Sequence, residues 1–176
     1  MSLTLHAAFV PNCLQILDGM LGQIDKAEAH CAEHGIDAVE LLEARLHETM
    51  WALPHHVRSC WMHSAYTLDQ VPTGEFTPDF TDLPADWAAM RAMIGEAKDR
   101  LAAATPEDME GYAGTTVHFV LGGKKLMTFD GQDFVLSFNQ PNFMFHAATF
   151  YDILRMKGVP LGKRDFLGPM RMMPTG

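Results

Sequence analysis

Between Leu5 and Cys31, apolar or small side chains recur at Leu5, Phe9, Cys13, Ile16, Met20, Ile24, Ala27 and Cys31, in steps of 4, 4, 3, 4, 4, 3 and 4 residues. That rhythm places all eight on one side of an α-helix and on no single side of a strand. A parallel row of Val10, Leu14, Leu17 and Leu21 widens the stripe to a core-facing band. Pro11 falls early in the pattern, where it either kinks the helix or sets its first turn. Gly35 ends it, and a short helix over Ala38 to Leu46 is expected next.

Two further segments repeat the pattern. Met50, Leu53, Val57, Trp61, Ser64, Leu68 and Val71 form a second helix, with Pro54 tolerable in its first turn and Pro72-Thr73-Gly74 as its stop. Residues 72–81 then read as a loop. Leu83, Trp87, Met90, Ile94, Ala97 and Leu101 form a third helix, with Thr81 or Asp82 as its N-cap. After it the period changes. Val117, Phe119 and Leu121 alternate with His118 and Val120 up to Gly122-Gly123, which is a hairpin signal. A fourth helix opens at Asp130 and closes at Gly158. It is apolar almost all round, so it lies at the centre of its domain or is covered at an oligomer interface. Pro141 sits inside it and should bend it, leaving the Ser137 carbonyl without its helical partner. The expected architecture is all-α: a four-helix bundle with a small β-hairpin before the last long helix. Residues 1–168 form its single domain and 169–176 a loose Met-rich tail.

Composition narrows the function class. The chain has 176 residues and a net charge of −9, which argues against a nucleic-acid partner. No apolar run approaches a membrane span. The opening MSLTLHAAFV lacks the basic n-region of a signal peptide. Three cysteines with no C-x-x-C pair fit a reducing cytoplasm and buried, inert thiols. Cys60, four residues after His56, is the one pairing with nucleophilic potential.

Nine histidines raise the question of a metal. On a wheel of about 100° per residue, Gln132, Asn139, Asn142 and His146 share one side of the fourth helix. Polar groups in so apolar a helix need hydrogen-bond partners or a ligand. Asn142 and His146 are one turn apart, the spacing of an H-x-x-x-H metal pair, but the first residue is Asn, a poor ligand for metals that favour imidazole. In the second helix His56 turns toward the interior, His63 lies on the same side farther out, and His55 turns to solvent. His30, His34 and His47 read as surface residues, and His6 and His118 show no partner. Glu48 is the carboxylate that could join His56 and His146 at a metal. No Walker loop, G-x-S-x-G, G-x-G-x-x-G or H-E-x-x-H is present.

Several motifs together carry a resemblance: Arg45-Leu46 with Met50, Asp130-Gly131-Gln132-Asp133, Pro141-Asn142-Phe143 with Phe145-His146, the closing Gly162-Lys163-Arg164-Asp165-Phe166-Leu167-Gly168, and the MSLTLHAAFVP start. Over essentially its whole length the chain resembles a bacterial domain-of-unknown-function family within the DinB/YfiT-like metalloenzyme superfamily. That resemblance implies a four-helix bundle, a homodimer, and a site where active members hold a divalent metal of the zinc or nickel type with three histidines. One such histidine comes from the second helix and two from an H-x-x-x-H pair on the last; some members are thiol transferases. His56 then matches the first ligand and His146 the third, with Asn142 in the place of the second. Two functions follow as alternatives. One is a divergent metal-binding or thiol-transferase-type protein using His56 and His146. The other is a non-catalytic bundle that binds a small molecule or a partner. The Lys163, Arg164 and Asp165 charges of the closing motif are expected to pair locally or across a dimer, with Phe166 and Leu167 as anchors over the bundle end.

Overall fold

A computed structural model describes residues 3–174. Thr175 and Gly176, the end of the expected tail, and Met1 and Ser2 of the opening motif lie outside the described residues. The chain is mostly helical with a small three-stranded sheet. The first helix, α1 (Leu5–His34), is capped by the Thr4 hydroxyl, which accepts from the Ala7 amide, and ends at Gly35 in the left-handed conformation. Pro11 sits inside it as the seventh residue of the helix. The Ala8 carbonyl accepts from the amides of Asn12 and Gln140. α2 (Ala38–Leu42) is shorter than expected, stopping before Glu43.

The second long segment starts at Leu53, not Met50. It comprises α3 (Leu53–Trp61), a π-helical stretch Met62–Tyr66, α4 (Thr67–Gln70) and a closing 3-10 turn. The Thr67 hydroxyl reaches the Met62 carbonyl five residues back, as a widened turn permits. The third helix, α5 (Trp87–Ala103), is capped by Asp86, so Leu83 lies outside it. Pro84 explains the difference, because it drives the residue before it out of the helical region. A helix not foreseen, α6 (Pro106–Tyr112), opens on a reciprocal capping box between Thr105 and Asp108.

β2 (Thr116–Leu121) and β3 (Lys124–Asp130) pair antiparallel about Gly122-Gly123, both at positive φ, the geometry of a type I′ hairpin. A bulge between Phe119 and Val120 breaks the alternation: Val117 and Val120 face the core and Leu121 is exposed. The segment read as a loop contains a third strand, β1 (Glu75–Phe76), running parallel to β2. Its two residues are too short to show a period, and it forms because Phe76 is drawn into an aromatic cluster with Phe119, Phe134 and Phe138.

The last helical run comprises α7 (Gly131–Asp133), capped by Asp130, a π-helical stretch Phe134–Asn139, and α8 (Gln140–Met156). The expected disturbance at Pro141 takes the form of this widened turn just before it. α1 packs on α5 and α8, and α3 also packs on both, so the buried stripes read from the sequence meet in one core. α9 (Lys163–Leu167) lies along the middle of α1, not over the end of the helices. Gly19 makes this possible, since a Cβ there would stand 2.8 Å from the carbonyls of Asp165 and Phe166. Asp165 pairs with Lys26, and the side chains of Gln15 and Gln23 donate to the carbonyls of Leu167 and Asp165. Among the described residues no helix is long and apolar enough to cross a membrane.

Candidate functional site

α3 and α8 bring His56, His63 and His146 together. All three rings are buried, with exposures of 1%, 6% and 7%. The rings of Trp51, His146, His63 and Phe76 form a column of near-parallel planes, with successive centroids 5.8, 6.1 and 5.9 Å apart. Trp51 also stacks on His55.

The hydrogen bonds fix where the protons sit. His56 Nε2 lies 3.2 Å from the Trp51 carbonyl. A carbonyl can only accept, so this nitrogen carries the proton, and in a neutral ring Nδ1 is then a lone pair. His56 Nδ1 is 3.0 Å from His146 Nδ1, which therefore donates. His146 Nε2 is left as an open acceptor. The same reasoning applies to His63. Asn139 Nδ2 donates to the Phe134 carbonyl, so its Oδ1 accepts from His63 Nδ1 at 2.9 Å. Both chains depend on neutral rings, and burial supplies that condition. Burial pushes His56 down to about 4, against a smaller opposing pull from the Trp51 carbonyl. It pushes His63 down to about 4 against the Asn139 bond. His146 falls to about 3, by burial first and then by its two histidine neighbours.

His146 and His56 open onto a pocket of about 290 Å³ whose other walls are Thr49, Met50, Trp51, Asn142 and Phe145. Asn142 donates to the Phe138 carbonyl of its own helix and keeps its Oδ1 free. Two larger grooves lie elsewhere. One, of about 670 Å³, runs beside Arg100 and Tyr112, whose charged and hydroxyl groups are taken up by Asp69 and the Leu68 carbonyl. The other, of about 460 Å³, lies beside Arg45 and His55.

Several sequence expectations change here. Gln132 is exposed on α7 and takes no part in the buried network. The wheel angle from Gln132 to Asn139 assumed uninterrupted α-helix, and the π-helical stretch between them changes that phase. His55 is half-buried, with its Nδ1 unpartnered, rather than solvated. His6 and His118 do have partners, the Ala104 carbonyl and the Thr128 hydroxyl. Glu48 is exposed and does not line the pocket. The Cys60 thiol is buried against the Phe143 carbonyl and burial raises its pKa well above the ordinary thiol value, so it is no nucleophile beside His56. Cys13 is equally buried. In native protein neither thiol should react with an aromatic disulfide reagent on a timescale of minutes, and both should react in guanidinium; fast native labelling at Cys60 would contradict this burial.

Sequence reasoning placed His63 too far out and missed Trp51. The signal for His63 was its seven-residue spacing from His56, two turns of one helix. Trp51 lies before α3, and no periodicity points to it.

A family model described as domain of unknown function (DUF1993) matches residues 5–167. Among curated proteins none matches the chain. Among solved structures, a DinB family member protein from Shewanella denitrificans is similar over 97% of this chain and 96% of its own, with 25% sequence identity and a TM-score of 0.83. With 163 of its residues under that family model and a DinB-like fold beneath them, the chain belongs to this family of unknown function.

Proposed function

We propose that the protein is a four-helix bundle of the DinB kind, built from α1, α3, α5 and α8, in which a histidine relay rather than a metal triad forms the floor of a small-ligand pocket. The observation that carries this reading is the chain from the Trp51 carbonyl through His56 to His146, ending on an open Nε2 in the pocket. The donor set does not fit a resident catalytic metal. Such a site needs about three protein ligands. Here Asn142 stands in the second ligand position, His56 has both ring nitrogens taken up by the Trp51 carbonyl and His146, and Cys60 is turned to a carbonyl. No group of three His, Cys, Asp or Glu side chains able to hold an ion occurs among the described residues. His56 and His146 satisfy each other instead.

In this reading the relay has a mechanical role. The Trp51 carbonyl sets the His56 tautomer, His56 sets that of His146, and the ring column holds both planes. The pocket therefore presents one oriented lone pair to whatever enters, at no further conformational cost.

Metal analysis of untagged protein, with imidazole nitrogen shifts from NMR on the same sample, tests the reading. The expected result is less than a tenth of an equivalent of zinc or nickel, and His146 as the Nδ1-protonated tautomer. A stoichiometric metal that disappears in both His56→Ala and His146→Ala would overturn it and restore a two-histidine metal site.

A further inference from the structure

We infer that the pocket beside His146 takes a small organic ammonium ion with an apolar body, held through its N–H protons. The inference rests on the relay reading above and names the ligand class for that site.

The polarity of the open groups carries it. His146 Nε2 is a lone pair, because its other nitrogen donates to His56. Asn142 Oδ1 is a lone-pair group without a partner, because the Phe138 carbonyl 2.7 Å away takes a proton from the other end of the amide. Thr49 is settled through its neighbour. The Thr49 amide donates to His47 Nδ1, which makes that nitrogen an acceptor, so the Thr49 hydroxyl 2.9 Å away gives its proton to it as well. Thr49 Oγ1 then has only lone pairs to offer. Three side chains on three different segments thus expose acceptors. The uncommitted side-chain donors among the lining residues are the Trp51 indole N–H and the second Asn142 amide proton, both neutral, and neither Arg nor Lys lines the pocket among the described residues.

An anion would meet three lone-pair groups and no positive side chain. A wholly apolar ligand would strip water from three acceptors and give nothing back. An ammonium brings three donors and a positive charge, which matches them in number and sign. The remaining walls, Met50, Trp51 and Phe145, suit an apolar body, and the Trp51 and Phe145 rings are exposed enough to face a cation. The histidines stay neutral at physiological pH, so they do not repel it.

The probe is benzylammonium, compared at neutral pH with benzyl alcohol and benzoate by isothermal titration calorimetry and melting temperature. Benzylammonium should bind saturably at one site, benzyl alcohol at least tenfold more weakly, and benzoate not at all. Asn142→Asp, at a half-buried position, adds a negative charge to the acceptor ring and should tighten benzylammonium at least threefold, while Asn142→Lys should abolish it. Absence of benzylammonium binding at millimolar concentration, equal or tighter binding of benzoate, or an unchanged affinity in Asn142→Asp would each overturn the assignment. The imidazole shifts of the ligand-free protein are read independently. If they keep the His146 tautomer while benzylammonium fails, the ligand class falls and the relay stands.

Discussion

Lowering the pH from 7 to 5 should remove about 5 kcal/mol of this protein's stability. His56, His63 and His146 have folded pKa values of about 4, 4 and 3, against an ordinary value near 6.5. As the pH falls through the unfolded value, the unfolded chain takes up protons that the folded chain refuses. The unfolded state then binds more protons, and stability falls with falling pH. Each histidine contributes a slope of about 1.4 kcal/mol per pH unit once below its unfolded pKa, so three together approach ~4 kcal/mol per unit. A domain with the usual 5–15 kcal/mol cannot absorb that for long. The effect is absent above about pH 7 and is steepest between roughly pH 6 and 4. Asp165, whose carboxyl is held below its ordinary value first by Lys26 and then by the Gly162 amide, acts in a lower window and does not confuse the measurement. Urea midpoints followed by circular dichroism at pH 7.5, 6.5, 5.5 and 5 give the slope. His63→Gln should reduce it by about a third. A midpoint that stays flat down to pH 5 would mean that the three rings are not buried and neutral together.

The second large effect concerns the closing motif. Gly168 has φ 64° and ψ −158°, a region open essentially to glycine alone. A Cβ there would stand 2.4 Å from the Gln15 carbonyl oxygen and 3.0 Å from the Gly19 nitrogen, both backbone atoms that cannot step aside. Gly168→Ala should therefore cost about 2–4 kcal/mol and lower the melting temperature by roughly 5–15 °C. Detachment of α9 would also release the Gln15, Gln23 and Lys26 contacts. Two helix positions supply the contrast. Alanine normally stabilises a helix over glycine by up to ~1 kcal/mol. Gly22→Ala should show that gain, since nothing stands within 4 Å of its added Cβ. Gly19→Ala should show a loss, because its Cβ meets two carbonyls of α9 at 2.8 Å. Thermal melts of the three variants decide the matter, and a Gly168→Ala protein melting within 2 °C of the parent would falsify the close approach.

How far the site could be read ahead follows from the same residues. The stripe from Leu5 to Cys31, the Gly35 stop, the Gly122-Gly123 hairpin and the Asp130 cap are local features. Period, capping and turn chemistry are written in a few adjacent residues, and the structure reproduces them. Asn139 and His146 could be picked out because a polar residue inside an apolar helix needs a partner, and His56 because its angle on the second helix turns it toward the interior. Gln132 was misplaced for one reason only: a wheel drawn at constant pitch cannot anticipate the widened turn at Phe134–Asn139. His63 was discounted because its reach depends on what faces it, and Asn139 lies 76 positions away in the chain.

By itself, then, the sequence determined the long helical segments, most of their buried faces and the polar residues Asn139 and His146 that sit among apolar ones. Those properties depend on spacing within one or two turns. Only the tertiary structure decided that β1 joins the hairpin, that Gly19 admits α9, and that Trp51 closes the histidine column. Each of these is a contact between segments far apart in the chain, where no local period records the partner. The proton positions belong to the same class. Whether His146 Nε2 is a donor or an acceptor depends on the Trp51 carbonyl two rings away, and that carbonyl faces His56 only once the chain is folded.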